Sequence, residues 1–289
     1  MLTSINCLPC FVKHCCDITK RATDDPAVIE KIMRGVLSEL AKQDLAQSPP
    51  EIVQKLHKIV KETTGINDFF SAEKSYFNKM MLDLEPALDA EIRASSDPLL
   101  AAVKFAIAGN VIDFGVYHTL SDQQVLDALH EAVAHEFTTE YDRFRDDLLK
   151  AKTIFYIADN AGEIVLDKLL IRQIIDLKGA DGITLAVRGY PTLNDVTRED
   201  ADLVGLTEMV QIVDNGFDAP GTVLHQAGKE YREKFDSADM IIAKGQGNFE
   251  TLSAEAGNIY FLLKAKCPAI ADNIGVAVGT LILKHINER

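Results

Sequence analysis

Oxygen-bearing side chains follow two apolar segments in the second half of the chain. Asp159 and Asn160 come directly after the apolar segment Thr153–Ala158, and Asp195 lies in the polar loop after a second apolar segment, Gly182–Val187. Carboxylate and carboxamide oxygens are hard ligands that suit Mg²⁺, Mn²⁺ or a similar cation better than zinc. Asp and Asn also cap helices routinely. Capping would explain either site alone but would not easily explain both on successive strands, so the two interpretations stay open.

A lysine and two glycines follow a further apolar segment, Met240–Ala243, and could hold a phosphate. Lys244 supplies a positive charge, and Gly245 and Gly247 would let a ligand approach the backbone. The third glycine of a dinucleotide-binding pattern is missing, so the spacing alone is weak evidence for a nucleotide site. The candidate phosphate-binding segment consists of Lys244, Gly245, Gln246, Gly247 and Asn248.

Three more polar residues could line a binding cleft. Asn110 and Asp113 are three residues apart in an otherwise apolar stretch, so they share one face of a predicted helix. Polar side chains on such a face need a ligand or a hydrogen-bonded partner. Lys266 stands just before the apolar segment Pro268–Ala271, where a solvated basic turn is the alternative interpretation.

The five cysteines form an irregular pattern. Cys7 and Cys10 make a Cys-x-x-Cys pair, Cys15 and Cys16 are adjacent, and Cys267 stands alone near the end of the chain. The pair resembles half of a zinc site, but the second half of a zinc ribbon is absent. We therefore favour a reduced, structural or redox-sensitive cluster. The odd count also favours a reducing, cytoplasmic setting over a secreted disulfide framework.

The elements that must position these residues differ between the two halves. Only four of the 17 glycines fall within residues 1–150, where helical periodicity predicts an all-helical domain. Residues 151–289 alternate short apolar runs with helical patterns, which predicts an α/β domain with a mostly parallel, doubly wound sheet. Part of 97–150 is expected to pack on that sheet. Ligands of such sheets bind beyond the carboxyl ends of the strands, where the residues above would meet.

The individual elements follow from the same patterns. Helices are predicted near 26–45, 51–63, 69–94 (broken or kinked at Pro86), 98–115, 121–134, 137–151, Ile164–Leu177, Val196–Gly205 and Val223–Phe235. Strands are predicted at Thr153–Ala158, Gly182–Val187, Met209–Val213, Met240–Ala243 and Pro268–Ala271, and Gly275–His285 is either a closing strand or a short helix.

The net charge and the length of the apolar stretches limit the classes of partner that the chain could bind. It has 289 residues, 47% of them apolar, and a formal net charge of −14. A field of that sign repels nucleic-acid phosphates and anionic lipids, and we find no concentrated basic patch that would offset it. The apolar stretches are short or interrupted, whereas a membrane-spanning helix needs about 20 consecutive apolar residues. We expect a small-molecule partner, without binding to nucleic acid or membranes.

Taken in order, these motifs resemble those of the damage-control phosphatase family, which was first catalogued as domain of unknown function 89. The resemblance spans nearly the whole chain, and the early Cys-x-x-Cys with the late Lys-Cys is similar to the stand-alone prokaryotic subfamily. The motifs that carry it are Cys7–Cys10, Gly109–Asp113, Asp159–Glu163, Asn194–Thr197, Asp214–Thr222, Lys244–Glu250 and Lys266–Cys267.

The resemblance implies a helical N-terminal part packed on a Rossmann-like, mostly parallel, three-layer α/β/α part. It implies a divalent cation such as Mn²⁺, Co²⁺ or Ni²⁺ in the cleft, and hydrolysis of phosphate monoesters, often sugar phosphates or damaged phosphorylated metabolites. By motif position, Asp159, Asn160 and Asp195 correspond to metal ligands. Asn110, Asp113, the segment 244–250 and Lys266 correspond to the substrate cleft.

Two other functions are compatible with parts of this pattern. A Rossmann-like methyltransferase would have a glycine-rich first turn, which the segment 159–162 lacks, and an acidic residue at the end of the second strand. A non-catalytic metal-binding module would hold a cation without turning over any phosphoester. A phosphatase screen with different divalent cations distinguishes these functions.

The cysteine motif gives a first testable prediction. Replacing Cys7 and Cys10 together by serine should leave metal-dependent phosphatase chemistry largely intact, because thiolates are soft ligands and the expected cation lies among hard oxygens. If the cysteines instead close a structural zinc site, the variant loses stoichiometric zinc and much of its thermal stability. Elemental analysis and melting curves separate the two cases. A variant that folds normally but is inactive contradicts both and places this segment in the active site.

Overall fold

The computed structural model describes residues 1–109, 121–134 and 138–286. Within these residues a seven-stranded sheet carries helices on both faces, and further helices precede it in the chain. The expected fold class, a helical N-terminal part on a mostly parallel three-layer α/β/α part, is thereby confirmed. The division of the chain into two domains at residue 150 stays a prediction.

Seven helices make up most of the first half as described. Proline stands at the first position of three of them, where the missing backbone N–H costs no hydrogen bond. Helix α4 runs as a single helix through Pro86, so the break that the proline predicted is absent. The helices are α1 (Cys7–Ala22), α2 (Pro26–Leu40), α3 (Pro49–Thr64), α4 (Ser71–Ala94), α5 (Pro98–Gly109), α6 (Asp122–Ala134) and α7 (Tyr141–Lys150).

The second half alternates strands and helices, as predicted. The strands are β2 (Ile154–Ile157), β3 (Ile183–Val187), β4 (Gln211–Asp214), β5 (Met240–Lys244), β6 (Ile259–Lys264) and β7 (Leu281–Ile286), and β1 (Thr138–Thr139) comes earlier in the chain. The helices are α8 (Glu163–Lys178), α9 (Arg198–Leu203), α10 (Lys229–Ser237), α11 (Gly245–Leu252) and α12 (Pro268–Ile274). Two short 3-10 turns are formed by Leu206–Glu208 and Leu224–Gln226.

Several predicted elements are wrong in detail. Pro268–Ala271 is helical, because its proline occupies the first position of α12, and the strand lies instead in the apolar run of β6. The first half is not entirely helical, since β1 joins the sheet. Helix α1 has no predicted counterpart. The closing segment is the strand β7, and α11, which begins at Gly245, is absent from the predicted helices.

The order of the strands decides which loops meet. The sheet order is β1-β7-β6-β5-β2-β3-β4, with β2 paired in parallel to both β3 and β5. Only β7 with β6 forms an antiparallel pair among the strand pairs described. The carboxyl ends of β2, β3 and β5 therefore lie side by side at one edge. No helix within the described parts of the chain is long and apolar enough to cross a membrane.

Alternate residues of the strands pack into two separate hydrophobic clusters. In β2, Ile154 and Tyr156 join one cluster with α4, α5 and α8, while Phe155 and Ile157 join another with α10, α11 and α12. This period of two is what a strand buried on both faces requires. Helices α1, α2 and α3 enclose a third, smaller cluster.

A histidine pair lies at the border of this third cluster. The Nε2 atoms of His14 in α1 and His57 in α3 are 2.8 Å apart, so one ring donates and the other accepts. Burial, and then the charge of Lys13, lowers the pKa of His14 to about 4, although Asp17 opposes this shift. Burial also lowers the pKa of His57, with smaller contributions from His14 and Lys61. Both rings are therefore neutral in the folded protein.

The histidine pair predicts a loss of stability in acid. In the unfolded chain a histidine takes up a proton near pH 6.5, whereas in the folded protein it does so only near its lowered pKa. The free energy of unfolding therefore decreases as the pH is lowered from 6.5 towards the folded pKa. His14 alone should cost about 2 kcal/mol at pH 5. The double variant His14→Leu/His57→Leu should lose less stability than the parent between pH 7.5 and 5 in urea unfolding. His225→Gln, at an exposed histidine, should behave as the parent. An unchanged pH dependence in the double variant would refute this account.

Candidate metal and phosphate site

The loops after β2 and β3 are joined by their backbones at the carboxyl edge of the sheet. Asn160 and Asp195 form an antiparallel bridge, and the backbone N–H of Val196 donates to the carbonyl of Asp159 at 2.8 Å. Both carboxylates are buried, with Asp159 8% and Asp195 3% exposed. The structure thus brings together Asp159, Asn160 and Asp195, the three residues predicted as metal ligands.

Helix capping does not account for these residues. Helix α8 has Gly162 as its N-cap, and α9 has Thr197, whose side chain and backbone pair with Asp200 in a capping box. Neither Asp159 nor Asp195 is a cap. The capping alternative that the sequence left open therefore does not describe this structure.

Arg188 lies between the two carboxylates and has no counterpart in the predictions. It follows β3 directly, is 1% exposed, and donates from Nε to Asp195 Oδ2 at 2.7 Å. Its Nη2 lies 3.9 Å from Asp159 Oδ1 and donates to Asn248 Oδ1 at 3.2 Å. A charged residue directly after an apolar strand was the available sequence signal. Arg188 partly neutralises the cluster and fixes the orientation of Asp195.

Lys244 does not face the cleft, which corrects its assignment as a phosphate contact. The side chain is fully buried, and Nζ donates to Glu163 Oε1 at 2.6 Å, Asp167 Oδ1 at 2.5 Å and the Ala106 carbonyl at 2.8 Å. An ammonium has only three protons, and all three are used. Successive side chains of a strand point to opposite faces of the sheet. Lys244 therefore shares the face of Met240 and Ile242, which packs against α5 and α8.

The glycines and Asn248 of the candidate phosphate-binding segment also serve the protein itself. A Cβ at Gly245, where φ is +77°, would lie 1.8 Å from Asp159 Oδ2, and one at Gly247 would lie 2.1 Å from the Pro220 carbonyl. Asn248 is fully buried and donates from Nδ2 to the carbonyls of Ala158 and Lys244. These residues allow close packing of α11 against the loop of Asp159, and their assignment as phosphate contacts stays a prediction.

Gln246 and Lys266 are the members of the predicted set nearest to solvent. Gln246 is half-buried and donates from Nε2 to Glu250 Oε1 at 3.0 Å and to Cys267 Sγ at 3.7 Å. Lys266 is exposed, and its charge is the smallest of the contributions to the pKa of Asp159, where it opposes the upward shift that burial causes. The predicted residues Asn110 and Asp113 lie outside the described residues.

The cysteine motif lies next to this region rather than within the ligand set. Cys7 is the first residue of α1, and Cys10 is exposed one turn later. Burial raises the pKa of Cys7, although a hydrogen bond with the Ser4 backbone opposes the shift. Cys267 is half-buried, and its Sγ lies 3.7 Å from Gln246 Nε2. All five cysteines are free thiols.

Helix α4 holds both metal-ligand loops from outside the sheet. Lys74 Nζ and Asn78 Nδ2 donate to the carboxylate of Asp200 at 3.0 and 2.9 Å, and Asn78 Oδ1 accepts from the backbone N–H of Gly162 at 2.6 Å. Asp200 follows the loop of Asp195, and Gly162 follows Asp159. Lys74 and Asn78 were not predicted, although polar residues four apart in an amphipathic helix are a recognisable signal.

Several buried charges lie close together at this edge. Arg188 pairs with Asp195 and lies 3.9 Å from Asp159, while Lys244 pairs with Glu163 and Asp167. Asn160 links the two groups, because it donates to both Asp159 and Glu163. Burial, and then the charges of Glu163 and Asp195, raise the pKa of Asp159 to about 8. Burial likewise raises the pKa of Asp195 and, to about 6, that of Asp167, against the opposing charges of Arg188 and Lys244 respectively.

The donor set fits a hard divalent cation. Among the described residues no group of three or more His, Cys, Asp or Glu side chains is arranged as a metal site. The predicted set has a different composition, two carboxylates and one carboxamide, all with oxygen donors. A bound divalent cation would stabilise the charged forms of the buried Asp159 and Asp195, which burial alone disfavours.

Comparison with known proteins agrees with this arrangement. Residues 3–282 match the family model described as the damage-control phosphatase ARMT1-like domain. A damage-control phosphatase of Pyrococcus horikoshii is 33% identical over 286 residues, which is 98% of this chain and 97% of that protein. A damage-control phosphatase of Archaeoglobus fulgidus is 31% identical over 97% of this chain and 98% of that protein.

A solved structure resembles the chain over its whole length. The crystal structure of a DUF89 family protein from Pyrococcus horikoshii has a TM-score of 0.92 and 31% sequence identity, and the match covers 99% of this chain and 100% of that one. These relatives support a phosphatase role. The chain therefore belongs to the damage-control phosphatase ARMT1-like family.

Proposed function

We propose that this protein is a divalent-metal-dependent phosphatase that hydrolyses phosphate monoesters of small metabolites, such as sugar phosphates or damaged phosphorylated metabolites. The observation that carries the proposal is the set of oxygen donors formed by Asp159, Asn160 and Asp195 at the carboxyl edge of the sheet, in which both carboxylates are buried. Asn160 links this set to Glu163, which pairs with Lys244. The names of the relatives support the phosphatase class.

The same three residues would hold Mn²⁺, Co²⁺, Ni²⁺ or Mg²⁺. Arg188 keeps Asp195 oriented through its 2.7 Å hydrogen bond, and Asn160 keeps Asp159 oriented through a hydrogen bond of 2.7 Å. When bound, a divalent cation polarises a phosphoryl oxygen and makes water a stronger nucleophile near neutral pH. Three protein ligands leave further coordination positions available to substrate and solvent.

The phosphate group would be held by two features beside these residues. Lys266 is exposed, and its positive charge acts on the pKa of Asp159, against the upward shift that burial causes. Helix α11 begins at Gly245, directly against the Asp159 carboxylate, so its N-terminal end adds a positive partial charge at the same place. Lys244 contributes indirectly, because its charge neutralises Glu163 and Asp167 beneath the site.

Water, rather than Asp159, is the proposed nucleophile. Asp159 accepts a hydrogen bond from Asn160 and lies 3.9 Å from the guanidinium of Arg188, and both partners reduce the nucleophilicity of the carboxylate. A buried carboxylate committed to a cation is weaker still. The side chains at the edge therefore serve to place the phosphoryl group and to stabilise the charge that develops during transfer.

The metal-ligand assignment gives the next prediction. Asp159→Asn and Asp195→Asn should each abolish detectable turnover of para-nitrophenyl phosphate with Mn²⁺, because each removes an anionic ligand while preserving side-chain shape. Calorimetric titration should show greatly weakened Mn²⁺ binding. Asp214→Asn, at the more exposed end of the neighbouring strand β4, is the matched control and should retain parental affinity. Parental binding and turnover in either ligand variant would show that the cation lies elsewhere.

Lys266 gives a separate prediction about phosphate. Lys266→Met should lower kcat/KM about 10- to 100-fold for several phosphomonoesters, as expected for loss of one charged contact to the transferred group. Its Mn²⁺ affinity should not decrease, because removing a nearby positive charge does not weaken cation binding. Lys152→Met, at the amino end of the sheet, is the control for net charge. Equal kinetics in the parent and in Lys266→Met would exclude this lysine as a phosphate contact.

A further inference from the structure

The carboxamide of Asn160 is held in one orientation by two carboxylates. Its Nδ2 donates to Asp159 Oδ2 at 2.7 Å and to Glu163 Oε2 at 3.1 Å. Carboxylate oxygens are acceptors, so the amide nitrogen rather than the amide oxygen must face them. Because the carboxamide group is planar, its Oδ1 is turned away from both carboxylates. An oxygen with this orientation is what a metal ligand at position 160 requires.

Glu163 can hold Asn160 because Lys244 holds Glu163. Lys244 Nζ donates to Glu163 Oε1 at 2.6 Å, which leaves the other carboxylate oxygen for Asn160. The remaining two ammonium protons go to Asp167 and to the Ala106 carbonyl. The side chains of Lys244, Glu163 and Asp167 are each 0% exposed, so solvent does not compete for these bonds.

Close packing of α5 against α8 fixes the same glutamate from the other side. A Cβ at Gly109, the last residue of α5, would lie 3.0 Å from Glu163 Cγ and 2.9 Å from Leu166 Cδ1. A larger residue would push the first turn of α8 away. The carbonyl of Ala106, which accepts from Lys244, belongs to the same turn of α5. Two helices and the end of β5 thus leave Glu163 a single position.

We propose that Glu163 and Lys244 are positioning residues that direct the Asn160 oxygen towards the cation. The inference rests on the metal site of the proposed function. Each oxygen of Glu163 accepts from a protein donor, one from Lys244 and one from Asn160, which suits a residue that orients Asn160. Partners of this kind fix the orientation of a ligand, and their loss typically weakens metal binding about 10- to 100-fold.

The variant Glu163→Gln tests this role with Mn²⁺ alone as the probe. Glutamine keeps the shape but offers one acceptor oxygen, so its amide nitrogen must face either Lys244 Nζ or Asn160 Nδ2. In the first case two donors meet at Lys244 and the glutamine side chain is pushed from its position, and in the second Asn160 loses this acceptor directly, so both cases weaken the hold on Asn160. Calorimetric titration should show Mn²⁺ affinity about 10- to 100-fold below that of the parent.

Tyr156→Phe is the matched structural control. The hydroxyl of Tyr156 donates to Asp167 Oδ1 at 2.7 Å, so Tyr156→Phe removes one buried hydrogen bond from the same cluster and leaves the bonds of Glu163 and Asn160 in place. The melting temperatures of Glu163→Gln and Tyr156→Phe measure how much stability each variant loses. Mn²⁺ affinity should fall in Glu163→Gln and stay parental in Tyr156→Phe. Equal affinities in Glu163→Gln and the parent, or equal losses in both variants, would overturn the positioning role.

Two further variants keep the result decisive. If Glu163→Gln does not fold, Glu163→Asp retains the charge that Lys244 needs but withdraws the carboxylate from Asn160, and it should also bind Mn²⁺ more weakly than the parent. Parental affinity in Glu163→Asp overturns the proposal. Asp195→Asn separates the two levels of inference. Weak binding in Asp195→Asn with parental binding in Glu163→Gln rejects the positioning role alone, whereas parental binding in Asp195→Asn rejects the metal site and both proposals.

Discussion

The burial of carboxylates at the carboxyl edge of the sheet is the constraint on which the rest of this structure depends. Asp159, Asp195, Glu163 and Asp167 are buried beside Arg188 and Lys244, and burying a charged group is costly unless partners stabilise it. Arg188 and Lys244 supply such partners from the ends of β3 and β5, and Asn160 donates to Asp159 and Glu163. In the proposed function a divalent cation would stabilise the charged forms of Asp159 and Asp195, so the cost of burying these carboxylates and their affinity for a cation have the same origin.

The order of the strands brings the residues of the candidate site together. Because β2 lies between β3 and β5, the segment after β2 is flanked by Asp195 on one side and by Lys244 and Gly245 on the other. All three strands are parallel, so their carboxyl ends meet at one edge. Gly245 leaves room for the Asp159 carboxylate, which any larger side chain would displace. The same alternation that sends Lys244 into the core leaves the first turn of α11 beside Asp159.

The sequence predicted the positions of the strand ends better than the directions of the side chains. Asp159, Asn160 and Asp195 could be placed together because parallel strands share an edge, a consequence of topology alone. Lys244 was assigned to phosphate because charge is visible in a sequence, whereas the face of the strand that carries it depends on register. Glycine spacing suggested a ligand cradle, but it reflects contacts between protein segments that are remote in sequence, such as Gly247 with Pro220. Pro268–Ala271 was misassigned because a short apolar run does not distinguish a strand from a helix.

The helical part is tied to the site at three places, which makes it part of the site rather than an accessory. Asn78 of α4 binds the Gly162 backbone, and α5 supplies the Ala106 carbonyl to Lys244. Leu193, in the loop that leads to Asp195, packs against the cluster of α1–α3 and is the one non-glycine residue of the described chain with positive φ, +46°. Such a conformation is costly and persists only where surrounding contacts hold it. The helices therefore hold the Asp195 loop in a shape that its own sequence would not favour, and the orientation of a metal-ligand candidate depends on the packing of helices far from it in sequence.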